Sequence, residues 1–149
     1  MKTTFKILPV ILLLQLISSC ALRAGGDTAV ACPRVESIKT MPFRGDRGVD
    51  PAYDRLRFDG ACEGVLVASL SDTQKMADPR QMPPDERFVV SDAALFILLE
   101  RHGISVESVL PAEVAMRLKS RGILAYFDYV ASPAGRDQVI SRAKLQVGK

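Results

Sequence analysis

Seven consecutive apolar residues, AALFILL at 93–99, constrain this chain more than any other feature. A helix built on them is apolar on every side, so it must be enclosed by other elements. Its flanks carry stop signals. Ser91 suits an N-cap, Asp92 favours the positive end of a helix dipole, and Gly103 suits the residue just past the end. Glu100, Arg101 and His102 then return the chain to solvent. Seven residues rise only about 10 Å, far short of a bilayer core of about 30 Å. The run therefore predicts the central helix of a small bundle.

Shorter helices surround it. Asp50 can cap a helix that Pro51 opens, with Tyr53, Leu56 and Phe58 on its inner side and Gly60 at its end. Val65, Leu66 and Leu70 share a helical face, although Gly64 leaves GVLVASL readable as a strand. Residues 104–110 form a connector long enough for one helical turn. Pro111 starts a helix that ends at Gly122, and Ile123, Tyr126, Phe127 and Val130 recur at helical spacing. Pro133 and Gly135 break the chain before a last amphipathic helix marked by Val139, Ile140 and Ala143. The predicted class is all-α, a small compact helical domain over 51–149, with α+β as the alternative.

Two segments lack apolar periodicity. Residues 20–50 are rich in Gly, Pro, Arg and Asp and read as a flexible tether. Arg44-Gly45-Asp46 within them matches the short integrin-binding tripeptide, but so short a match arises often by chance, and these residues read as solvated loop charge. Residues 71–87 carry Pro79, Pro83 and Pro84, which exclude regular structure across the segment. Long loops inside compact domains are often functional. Met76, Arg80, Met82, Pro83 and Pro84 are therefore the candidate partner contacts.

Chemical machinery is sparse. His102 is the sole histidine, and no G-x-S-x-G elbow accompanies it, so a Ser-His-Asp site has little support. One histidine and two cysteines that can bridge each other, Cys32 and Cys62, do not supply the three or four ligands of a zinc site, and no cofactor or metal is expected. The formal charge of +3 falls to +1 without Lys2 and Lys6, which gives no basic footprint for nucleic acid. Asp46, Asp50, Asp54 and Asp59 alternate with Arg44, Arg47, Arg55 and Arg57, a pattern of surface ion pairing and not of an acid–base pair.

The first twenty residues carry a different message. Lys2 and Lys6 precede the apolar run ILPVILLLQLI at 7–17, which suits a cleaved export signal better than a membrane span. Ile17-Ser18-Ser19-Cys20 resembles the bacterial lipobox: an aliphatic residue, two small residues and a cysteine. That resemblance implies cleavage after residue 19 and lipid on Cys20, anchoring a mature chain of 130 residues to a membrane. Ala21, where an Asp would favour the inner membrane, implies the outer membrane facing the periplasm. With Cys20 so used, Cys32 and Cys62 remain as an even pair in an oxidising compartment. A bridge between them would pin the tether to the domain; the alternative is a buried Cys62 and a loose Cys32 thiol.

Tyr53, Leu56, Gly60, Val65, Leu66, Leu70 and Asp72, followed by Val90, Asp92, Ala93, Ala94 and Leu98, resemble the apolar rhythm of HEAT-type helix pairs. The 71–87 insertion and the lack of a clear second repeat depart from that pattern. The resemblance implies binding and not catalysis. The expected function is a lipid-anchored, non-enzymatic binding or structural module of the bacterial envelope with an envelope protein as partner. A periplasmic immunity-type inhibitor of a toxin and an envelope hydrolase are the alternatives.

Overall fold

A computed structural model of the protein describes residues 31–39, 50–76 and 87–149. Among the described residues there are seven α-helices: α1 (Pro51–Phe58), α2 (Glu63–Ser69), α3 (Val90–Arg101), α4 (Val106–Val109), α5 (Ala112–Arg121), α6 (Ile123–Val130) and α7 (Pro133–Val147). Single 3-10 turns stand at Val35–Ser37 and Gly60–Cys62. The class is all-α. The residues of GVLVASL are helical and not a strand, since Glu63–Ser69 forms α2. Leu66 and Leu70 face the core from it. The signal at 1–19, Cys20 and the Arg44-Gly45-Asp46 tripeptide lie outside the described residues.

Helix α3 is central. Every residue from Val90 to Leu99 is buried, as an all-apolar helix requires. Its neighbours are α1, α2 and the Val35–Ser37 turn, and also α7. α6 adds the Tyr126 ring, which meets Phe96 edge-on at 5.0 Å between centroids. α5 packs on α6 and α4. Phe88 and Phe127, also edge-on at 6.0 Å, extend the core beyond the start of α3.

Local chemistry accounts for the helix boundaries. Asp50 caps α1 as predicted, with Oδ1 accepting from the Ala52 and Tyr53 amides at 3.1 and 3.2 Å. α3 begins earlier than the sequence suggested. The cap position is Val89, whose amide donates to Asp92 Oδ2 at 3.1 Å, and Ser91 lies inside the helix. Gly122 adopts φ +61° and ψ −153°, a conformation closed to side-chain-bearing residues, and so turns α5 directly into α6. Pro133 and Gly135 start α7 where a break was expected. Pro133 occupies the first turn, and the Ser132 hydroxyl accepts from the Gly135 amide at 3.1 Å. Gly135 is demanded by space, because a Cβ there would lie 2.3 Å from the Tyr129 carbonyl oxygen.

The packed unit begins before Pro51. It spans Cys32–Lys149, so the end of the expected tether belongs to the domain. Val35 is fully buried and Ile38 is buried among α1, α2 and α3. The Lys39 amide donates to Asp50 Oδ2 at 2.6 Å, so the carboxylate that caps α1 also holds this strap. Phe58 is a second departure, since it is 67% exposed and not on the inner side of α1.

Candidate functional site

Polar side chains gather at the C-terminal end of α3. Arg101 does not reach into solvent. Its Nη1 donates to the carbonyls of Leu56, Arg57 and Asp59 at 3.3, 3.0 and 2.9 Å. Those are carbonyls at the end of α1 and in the turn after it, of which Asp59 also accepts from the Cys62 amide at 3.0 Å, so the guanidinium acts as a cap from another helix. Its Nε meets Glu63 Oε2 at 3.2 Å. Glu100 accepts from the Tyr53 hydroxyl and pairs with Arg57 at 3.1 Å. His102 ends α3, and its Nε2 lies 3.4 Å from Glu63 Oε2.

A His–Glu contact has the form of an acid–base pair, but Glu63 also holds Arg101. Ser91, a buried hydroxyl, stands eleven positions before His102 along α3, roughly 16 Å away at helical rise. The two cannot share a proton. A groove of about 350 Å³ adjoins this end, lined by Phe96, Leu99, Glu100, Ile104 and Val106 among others.

Cys32 and Cys62 are joined by a disulfide with a Cα–Cα distance of 5.4 Å. The bridge ties the strap to the start of α2, with Asp59 alongside. The three donor atoms lie within 4.8 Å of one another. The thiolate is the metal-binding form of cysteine, so these sulfurs are committed to each other while the bridge is intact.

The other end of α3 holds a buried network that the sequence pattern did not reveal. Asp92, 1% exposed, accepts at Oδ1 from the Tyr126 hydroxyl at 2.8 Å and from Arg136 Nη1 at 2.5 Å. Arg136 also donates to the Ser91 hydroxyl at 2.8 Å. Burial pushes the Asp92 carboxyl above its ordinary range, against the pull of Arg136 and its hydrogen bonds. Burial, reinforced by the adjacent Asp92 carboxylate, pushes the Tyr126 phenol up strongly.

A carboxyl whose pKa is raised on folding binds protons more tightly in the native state. Its stabilising contribution is complete below about pH 3.8 and is lost as pH rises through the raised native value. We therefore expect wild type to lose stability relative to Asp92→Asn as pH rises from about 4 toward neutrality. Urea unfolding of both proteins across that range measures the difference. A difference independent of pH would show that Asp92 titrates normally in the fold.

Of the candidate partner contacts, Arg80, Met82, Pro83 and Pro84 lie outside the described residues. Met76 is 7% exposed and belongs to the core. Its amide donates to the Phe88 carbonyl at 3.1 Å, and the Val90 amide donates to Gln74 at 2.9 Å. Both ends of the 71–87 segment are thus paired in antiparallel fashion, which turns Met76 inward. Arg101, the last residue of α3, and Arg136, in the first turn of α7, were missed because a cation near a helix end reads as solvated charge.

The fold and its polar clusters define a small, disulfide-bridged, all-α domain. No family model, curated protein or solved structure matches the chain.

Proposed function

We propose that the protein is a lipid-anchored component of the bacterial envelope, facing the periplasm from the outer membrane. Its helical domain acts by contact, as a binding or structural module, and not by turnover. The observation that carries the reading is the Cys32–Cys62 disulfide. Disulfides persist in exported proteins, and this one pairs the two cysteines that remain once Cys20 is assigned to lipid. The polar end of α3 supports the same reading: Arg101 and Glu100 bind the end of α1, which is structural work.

Metabolic labelling with a fatty-acid analogue tests the anchor. Wild type should take up label, and Cys20→Ala should fall to background. Equal labelling of the two would end the lipoprotein reading. His102→Gln tests the mode of action, because His102–Glu63 is the contact with acid–base form. The variant should restore the envelope phenotype of a deletion strain as fully as wild type. A folded variant that fails to do so would put an envelope hydrolase in place of the binding module.

A further inference from the structure

Phe58 is a large apolar side chain in an unusual place. It ends α1 and is 67% exposed. The Arg57 guanidinium lies 4.5 Å from the centre of its ring. Arg55 and Arg57 both belong to the last turn of α1. Arg57 pairs with Glu100 at 3.1 Å and Arg55 with Asp59 at 3.5 Å, so the aromatic ring stands beside a charged but internally paired rim. That arrangement suits the boundary between acyl chains and a zwitterionic headgroup layer: the ring enters the apolar edge and the ion pairs remain in the polar layer.

Phe58 also stands where the chain is tied. Cys62 follows it by four positions and is bonded to Cys32. Cys32 in turn follows Cys20 by twelve positions, which at full extension is about 40 Å. Other large apolar side chains are comparably exposed, Met116 and Leu145 among them, but Phe58 is next to the point where that length of chain enters the domain. A lipid on Cys20 would hold this corner at a high local concentration of bilayer surface, so even a weak contact would be populated. None of the described helices is long and apolar enough to cross a membrane, and a surface contact requires none.

We propose that the corner formed by Phe58, Arg57 and Arg55 beside the Cys32–Cys62 bridge rests in the headgroup layer of a phospholipid bilayer. The proposal rests on the lipid-anchor reading and adds an orientation to it. The C-terminal ends of α1 and α3 face the membrane, and the start of α3, with α6 beside it, faces away. Arg101 sets the first pole through its bonds to the α1 carbonyls, and Tyr126–Asp92 sets the second.

The chain contains no tryptophan, so a single introduced tryptophan reports on its own surroundings. Phe58→Trp places the reporter at the proposed contact. Leu124→Trp places a control on α6, at a position 46% exposed. Each full-length lipidated variant is incorporated into phosphatidylethanolamine–phosphatidylglycerol vesicles with bromine on the upper acyl carbons. Flotation then measures attachment, and fluorescence measures contact. Phe58→Trp should shift to the blue and lose most of its emission, while Leu124→Trp should keep its emission and remain open to acrylamide. Protein that floats with the vesicles but shows unquenched Phe58→Trp overturns the contact and leaves the anchor standing. Protein that does not float overturns both. Equal quenching at the two positions overturns the orientation.

Discussion

Leu98→Asp is expected to abolish cooperative unfolding of the domain. Leu98 is 1% exposed on α3 and belongs to the core cluster, where neighbouring side chains are apolar on every side of the helix. A carboxylate there would have neither water nor a cation. It would protonate or force the helix out, and either route costs several kcal/mol. Domains of this size are stable by about 5–15 kcal/mol in all, so one such substitution removes a large part of the total. The milder Leu98→Ala should cost about 2–5 kcal/mol and leave a measurable transition at a lower midpoint. Leu124→Asp, at a half-exposed site on α6, should leave the midpoint near wild type. Far-UV circular dichroism during urea unfolding distinguishes the three. A Leu98→Asp protein with an undiminished midpoint would mean that α3 is not the centre of the fold.

Loss of the disulfide should have the next largest effect. Cys32 and Cys62 close a loop of 30 residues, for which chain entropy gives about 3–4 kcal/mol. The loop is part of the core as well as a covalent ring. It includes Val35 and Ile38, both buried, and Asp50, which holds the Lys39 amide and caps α1. Cys32→Ala should therefore lower the unfolding midpoint and also speed amide exchange at Lys39, Ala52 and Tyr53, since release of the strap weakens the cap. Exchange at Leu98 and Leu99 should speed only as far as the loss of global stability dictates, because α3 remains enclosed by α1, α2 and α7. If Cys32→Ala unfolds at the wild-type midpoint with exchange unchanged at Lys39, the strap is held by Val35, Ile38 and Asp50 alone.

Both effects arise from the same architecture. α3 can be wholly apolar only because helices close over it from several sides, and the strap between Cys32 and Lys39 supplies part of that closure. Polar groups are confined to its two ends, where Asp92 binds Arg136 and Tyr126, and Arg101 binds the end of α1. Each set joins elements more than thirty residues apart in sequence. They set the register of α3 against its neighbours, which an apolar surface alone specifies weakly.

The sequence by itself determined the helical class, the central place of 93–99, the Asp50 cap and the breaks at Gly103 and Gly122. Those features depend on local periodicity and on backbone chemistry within a few residues, and both are written in consecutive letters. It also showed that Cys32 and Cys62 were an even pair once Cys20 was set aside. Whether they meet was a matter of three-dimensional reach, and the 5.4 Å Cα–Cα distance was decided by the fold. Tertiary structure alone placed Val35 and Ile38 in the core, because two apolar residues three positions apart carry too little pattern to mark a packed segment. It alone turned Met76 inward, through pairing with Phe88 across a loop whose prolines suggested only exposure. Asp92 and Arg101 looked like end-of-helix charges facing water, and local sequence can say no more than that. Their burial was decided by partners distant in the chain: Arg136 for Asp92, and the carbonyls at the end of α1 for Arg101. A charge stays out of water only where a partner offsets its desolvation, and the fold alone brings that partner within reach.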